Sequence, residues 1–445
     1  MPAENAIPEQ RPPKQASLTS TLVRGDWMLW SIYGILALIS VVEMFSASSL
    51  LTLRTASASD PVFRHISFIL VGLLAVVLFQ NASLLSIQKW GQLIYVGGIL
   101  LLVLLPVLGT QMKGAQREIF GIQPVELAKL GTMMMLCALI TTSDTVLQRS
   151  WAFFRTQTEL RRYYVLLGVF LLPSLFVAPQ NLSSALIICF ASLAVLFLGQ
   201  VRGSYLWRTL LVAAAAAAVA LAALYGLYKY MEAHPSKVER DELAETLGPI
   251  DRAMTWADRI YGHDDVPLWK QDPSGEKAQE IYSHMALANS YPFGRFLGNS
   301  RLRDFLPEAY SDYIFAILFE ETGFIGAGFV LLLYLLLLAR AYWLSRRTQD
   351  VYVRLLMVAL PLIMVIQALL HIGVCTGAMF VTGQPLPLMS RGGSSIALTS
   401  VSFGLMLALS RIIESEVRAR RAADGAALAG APASRVEAEG VRIGQ

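Results

Sequence analysis

The chain has 445 residues, 55% of them hydrophobic and 15% charged, with a mean hydropathy of +0.53. A soluble domain of this length carries about a quarter charged residues, so a water-soluble globular protein is excluded. The net charge of +4 is scattered among separate loops, which argues against a nucleic-acid partner. The apolar residues come in runs long enough to cross a bilayer. The fold class these features predict is an all-α integral membrane protein.

Residues 1–26 are polar and proline-bearing ("PAENAIPEQRPPKQ") and read as a disordered tail. Ten spans follow, at roughly 27–51, 63–81, 91–109, 124–143, 163–179, 182–200, 206–230, 313–339, 354–378 and 393–413, most near the ~20 residues that cross a hydrocarbon core. The first is too long for a signal-peptide core and is read as a retained span. Only "PQN" separates the fifth from the sixth. The seventh contains "VAAAAAAVALAAL", small residues that let helices approach closely. Between spans seven and eight lies one large loop, residues 231–312, of mixed charge. Within it "HPSKVERDELAETLGPIDRAMTWADRIYG" looks helical and amphipathic, and "HDDVPLWKQDPSG" reads as a turn-rich connection. A loop of this size suggests a folded cap. Residues 414–445 are Ala/Gly-rich and read as a second disordered tail. Cys137, Cys189 and Cys375 all fall in apolar runs, with no metal or disulfide spacing.

Orientation follows from Lys and Arg in the tails and short loops. The side holding both termini carries twenty, the other side five. The excess marks the cytoplasmic side, so the expectation is cytoplasmic termini and a periplasmic 231–312 loop.

Four polar stretches then meet at the non-cytoplasmic ends of the spans. They are "REIFGIQPVELAK" (117–129), "PQNLSSAL" (179–186), "YPFGRFLGNSRLRDFLPEAYSD" (291–312) and "VTGQPLPLMSRGGSS" (381–395). Glu126, Lys129, Glu320 and Glu321 continue the polarity into the spans, where an unpaired charge costs at least ~2.5 kcal/mol. Lys129 has Glu126 at i−3 as a partner. Glu320 and Glu321 are expected to tie neighbouring spans together, and His371 to hydrogen-bond another helix. Asp312 fits a first-turn acid behind an N-capping Ser311, and equally a catalytic group at the mouth of a span. The glycines and prolines of "TGQPLPL" suggest a re-entrant loop against a water-filled pocket.

"GIQPVELAKL", "GNSRLRDFLPEAYSDYIFAILFEETGFIG" and "TGQPLPLMSRGGSS" together resemble the motifs of the SEDS family (shape, elongation, division and sporulation), over about residues 27–413. The stretch from Gly298 to Phe315 is more similar to the division branch, FtsW, than to the elongation branch, RodA. The resemblance implies a peptidoglycan glycosyltransferase of the bacterial cytoplasmic membrane, polymerising lipid II at the division septum. It also implies a class B penicillin-binding protein transpeptidase and other divisome membrane proteins as partners. Asp312 corresponds to the family's proposed catalytic aspartate. Lys129, Glu126, Arg295, Arg301, Arg391, Gln384 and Ser394 are the expected substrate contacts, with Arg303 a further candidate for the diphosphate. Some positions depart from the family pattern. Asn181 stands for a usual aspartate, Arg391 for a tyrosine, His371 for an asparagine and Phe380 for a proline. "QREIFG" lacks a familiar tryptophan.

Glycan polymerisation needs a base for the attacking sugar hydroxyl and positive charge for the departing diphosphate. Asp312 suits the first, and Lys129, Arg295, Arg301, Arg303 and Arg391 the second. A divalent cation, Mg or Mn, could assist, although no ligand cluster specifies a metal. The competing function is a flippase that moves lipid II across the membrane along Glu126, Lys129, Glu320 and Glu321. A purely structural scaffold leaves those charges unexplained.

Overall fold

The computed structural model describes residues 23–47, 60–112, 115–119, 121–142, 159–233, 277–290, 292–306, 309–379 and 381–429. The amphipathic helix and turn-rich connection expected within 234–275 lie outside the described residues, as do 1–22 and 430–445.

The helices are α1 (Trp27–Ala47), α2 (Asp60–Phe79), α3 (Leu84–Leu108), α4 (Pro124–Thr141), α5 (Glu159–Val177), α6 (Leu182–Leu198), α7 (Gly203–Ala233), α8 (Ala278–Ser290), α9 (Ile314–Ser345), α10 (Val351–Cys375) and α11 (Gly393–Ala429). Between α3 and α4 a small antiparallel hairpin pairs β1 (Thr110–Met112) with β2 (Ala115–Glu118). Eight helices are long and apolar enough to cross a membrane, and α5 and α6 supply two shorter apolar helices. These coincide with the ten runs read from the sequence, so the chain is an all-α, multi-pass membrane protein.

Local chemistry sets the helix ends. Pro124 opens α4, where its missing N–H leaves no bond unmade. Asp350 caps α10 by accepting from Tyr352 N at 2.8 Å and Val353 N at 3.1 Å. Asp26 caps α1 through Leu29 N (3.2 Å) and also pairs with Arg340 Nη2 at 2.5 Å, tying the start of α1 to the far end of α9.

α4, α10 and α11 form the centre of the bundle, whereas in α7 none of the residues from Trp207 to Tyr230 is buried. α4 packs closely on α3 because Gly131 has no side chain, and a Cβ there would lie 2.6 Å from Tyr95 Cα.

Three features differ from the sequence reading. α8 is an additional helix in the large loop, packed on α9 and α10, with Ser283 Oγ donating to Cys375 O at 2.8 Å. α11 continues past residue 413 to Ala429, so the first part of the expected C-terminal tail is helix. Its Arg418–Glu414 and Arg420–Glu416 pairs stand one turn apart. The eighth span is also not one continuous helix. Gly323, at φ 68° and ψ −164°, breaks α9 between Thr322 and Phe324.

Candidate active site

The break at Gly323 explains how two adjacent glutamates sit in apolar sequence. Both are buried, and both are covered by the segment 292–303, which folds back onto the first half of α9. Glu320 accepts from Arg301 N (3.1 Å), Leu302 N (3.3 Å) and Ser300 Oγ. Glu321 accepts from Gly298 N (2.9 Å), Ser300 N (3.3 Å) and Ser46 Oγ of α1. Backbone bonds from Arg295 N to Glu320 O (2.9 Å) and from Phe324 N to Pro292 O (3.0 Å) complete the seal. Several donors thus compensate each carboxylate for lost hydration. Among the described donors only Ser46 belongs to another span, so the glutamates tie down mainly a loop rather than neighbouring helices.

Next to this sealed segment the chain passes through Tyr310, Ser311 and Asp312. α9 begins at Ile314 with Tyr313 as its N-cap residue, two positions later than the sequence reading placed it. Asp312 is therefore not a first-turn acid, and Ser311 does not cap the helix. The 390–391 turn holds this stretch instead. Arg391 N donates to Tyr310 O at 2.9 Å, and Ser390 Oγ donates to Ser311 O at 2.6 Å.

Asp312 lines a cavity of about 540 Å³ built from five separate parts of the chain. α2 contributes Arg64, His65 and Phe68, and the β2–α4 region Glu118, Gln123 and Glu126. The α5–α6 turn adds Gln180, Asn181 and Ser184, and the 383–393 stretch adds Gly383, Gln384, Pro385 and Arg391. All belong to the end of the bundle remote from Asp26. Among the described residues, two guanidiniums and three carboxylates share the cavity wall. The Arg391 guanidinium lies 5.1 Å from the centre of the Tyr310 ring, and that of Arg64 6.0 Å from the Phe68 ring.

The loop between α10 and α11 is pinned on three sides. Gln384 Nε2 donates to Asn181 Oδ1 (2.8 Å) and Ser184 Oγ (2.9 Å). The backbone carbonyl oxygen of Gln384 accepts from His371 Nδ1 at 2.7 Å, so His371 holds a loop rather than another helix. Gln367 Nε2 donates to Pro385 O at 2.8 Å. The oxygen of the same Gln367 amide accepts from Lys129 Nζ at 2.7 Å, and Lys129 also donates to Glu126 at 2.6 Å. Such backbone at membrane depth is tolerated where protein satisfies it.

Of the residues singled out from the sequence, Asp312, Glu126, Gln384 and Arg391 line one cavity. Ser394 stands beside them, its Oγ accepting from Gln123 N at 3.0 Å. Lys129 lies behind Glu126 and is buried, off the cavity wall. Arg295, Arg301 and Arg303 do not line the cavity either. They sit on the segment whose backbone Glu320 and Glu321 hold, with Arg295 Nε 3.9 Å from Glu320 and Arg303 Nη1 donating to Gly298 O at 2.9 Å. Sequence reasoning missed Arg64, His65 and Glu118. Arg64 and His65 are the polar pair opening the second apolar run, at the same membrane face as the four polar stretches, and that placement was the available signal. Among the described residues no group of three His, Cys, Asp or Glu side chains is arranged to hold a metal ion.

The profile of a family described as cell cycle protein, that of FtsW, RodA and SpoVE, matches residues 26–414. The chain is 28% identical to peptidoglycan glycosyltransferase MrdB of Escherichia coli K12, over 81% of this chain and 89% of that one. It is equally 28% identical to stage V sporulation protein E of Bacillus subtilis, over 88% and 99%. The same identity links it to a probable peptidoglycan glycosyltransferase FtsW of Geobacter sp. strain M18, over 86% and 96%. In fold it resembles a chain from a solved peptidoglycan synthase complex, with a TM-score of 0.60 at 24% identity over 87% of this chain and 98% of that one. It also resembles RodA of Thermus thermophilus, with a TM-score of 0.57 at 23% identity over 87% and 97%. Matched from the residue before α1 into α11, this multi-pass membrane protein belongs to the SEDS family of FtsW, RodA and SpoVE.

Proposed function

We propose that the protein is a peptidoglycan glycosyltransferase that polymerises lipid II, with Asp312 as the general base. The observation that carries the reading is the sharing of one cavity by Asp312 and the guanidiniums of Arg64 and Arg391. In the reaction a sugar hydroxyl oxygen attacks the anomeric carbon of a lipid-linked donor. Asp312 takes the hydroxyl proton as the new C–O bond forms. The old bond to the diphosphate breaks, and the lipid diphosphate leaves with the electron pair. Arg64 and Arg391 stabilise the charge that develops on it. A positioned base contributes typically 10²–10⁴-fold.

The names of the E. coli and Geobacter relatives support this chemistry. The likeness to a chain of a peptidoglycan synthase complex supports a partner, here read as a class B penicillin-binding protein. The excess of Lys and Arg on the terminal side supports a cavity that opens to the periplasm, and the Gly298–Phe315 stretch supports a role at the division septum. A flippase needs a polar path to the opposite face. Inward of Lys129 and Gln367 the buried residues of α4 and α10 include Met133, Met134, Leu136, Leu360 and Met364, and the hydroxyl of buried Thr132 is spent on Ala128 O at 2.6 Å, which favours the polymerase. The test is purified protein with its partner, given lipid II in detergent, and the products sized on a gel. A glycan ladder from wild type, absent with Asp312→Asn, is expected. Lipid II left unextended by the wild-type pair would refute the proposal.

A further inference from the structure

Asn181 occupies the turn between α5 and α6, and its partners fix the orientation of its amide. Ser184 N, a backbone donor, bonds the side chain at 3.1 Å, so the atom facing it is the oxygen. Gln384 Nε2 donates to that oxygen at 2.8 Å, which uses both lone pairs of Oδ1. Flipping the amide would turn an N–H against each donor. Asn181 Nδ2 carries two N–H groups and makes no hydrogen bond among the described residues, nor is it one of the buried polar atoms lacking a partner. Asn181 lines the same cavity as Asp312 and Arg391.

We propose that Asn181 is a substrate-binding residue whose Nδ2 donates to an acceptor oxygen of the lipid-linked saccharide. This rests on the glycosyltransferase reading above. The acceptor is either a phosphoryl oxygen of the diphosphate or a carbonyl oxygen of an acetamido or peptide group. The family pattern has aspartate here. A carboxylate would keep the capping oxygen and present a second, anionic oxygen to the cavity, able only to accept. One position therefore decides whether this subsite donates to the substrate or accepts from it, without altering the cap of α6.

The test uses full-length protein in nanodiscs, with Asn181→Asp and Asn181→Ser. Asp, Ser and Asn are all good N-caps, so a purely structural role predicts the same affinity for all three. The substrate contact predicts that the Kd for lipid II rises at least ~tenfold in Asn181→Asp, with Asn181→Ser between it and wild type. The melting temperature of the aspartate variant should stay at the wild-type value. Undecaprenyl diphosphate without sugar is the second ligand. A matching rise in its Kd places the oxygen in the diphosphate, and a rise for lipid II alone places it in the saccharide or peptide; either supports the contact. An unchanged Kd for lipid II in Asn181→Asp overturns it, even where wild type polymerises normally. Wild type that binds lipid II but makes no glycan refutes the polymerase, while the contact is still judged on Kd. Wild type that binds neither ligand overturns both.

Discussion

Gly294 and Gly323 meet backbone to backbone. A Cβ on Gly323 would lie 2.4 Å from Pro292 O and 2.5 Å from Gly294 N, and a Cβ on Gly294 would lie 2.5 Å from Gly323 N. Both residues also have positive φ, 76° and 68°, and the ψ of −164° at Gly323 puts it in a region that only glycine populates freely. Gly323→Ala is predicted to lower stability by about 2–4 kcal/mol. Adding Gly294→Ala should cost less than the two single effects combined, because both break one contact. Thermal melts of the four proteins in detergent measure this, and strict additivity would contradict a shared contact.

Removing the Glu320 carboxylate strands Arg301 N, Leu302 N and Ser300 Oγ in a buried setting. Glu320→Ala is therefore predicted to cost about 3 kcal/mol or more. It should also release residues 292–306 to hydrogen exchange, while the second half of α9 stays protected. Unaltered exchange in that segment would mean that the glutamate does not hold it.

Asp312→Asn keeps the size of the side chain and removes the base. Polymerisation should fall by about 10²–10⁴-fold with the melting temperature unchanged. Turnover within a few-fold of wild type would remove Asp312 from the chemistry.

Lys129 is shared between Glu126 and Gln367, so Lys129→Met leaves a carboxylate without its ammonium and should cost about 3 kcal/mol. Adding Glu126→Gln is predicted to restore the stability. The rate is predicted to stay about 100-fold low, because Glu126 itself lines the cavity and the pair shapes its electrostatics. A double variant as fast as wild type would reduce the pair to a structural strut.

Asn289, exposed on α8, provides a check on orientation. In a cysteine-free background, Asn289→Cys should react with an impermeant maleimide in cells whose outer membrane has been permeabilised. Labelling only after lysis would reverse the sidedness assigned to the cavity.

The spans were legible because each is an apolar run of bilayer length, and the convergence of Glu126, Asp312, Gln384 and Arg391 was legible because alternation of spans brings their loops to one face. The kink was not. Gly323 sits inside an apolar run, where an isolated glycine ordinarily stays helical, and only the approach of Gly294, 29 residues earlier in the chain, makes it a break. The position of the loop arginines was hidden for the same reason. A basic residue beside a motif points to an anion, but Arg295, Arg301 and Arg303 follow a backbone captured by Glu320 and Glu321. Arg64 and His65 were passed over because they fall within the start of a span rather than within a motif. Asn181 carried a sequence signal, its departure from an aspartate, but which of its atoms faces the cavity depends on Ser184 N and Gln384.

The capture of Glu320 and Glu321 also bears on how the chain enters the membrane. A translocating segment with two adjacent carboxylates inserts poorly on its own. Most of the groups that neutralise their cost lie at Gly298–Leu302, about twenty residues upstream and synthesised just before them. Closing so short a loop is entropically cheap and takes well under a millisecond, so the glutamates can be covered while the ribosome is still extending α9. Ser46, the donor from a distant helix, has been synthesised long before. The eighth span thus carries, in the segment just upstream, most of the donors that cover its own carboxylates, and Gly294 and Gly323 are two positions at which a side chain would block that local fold.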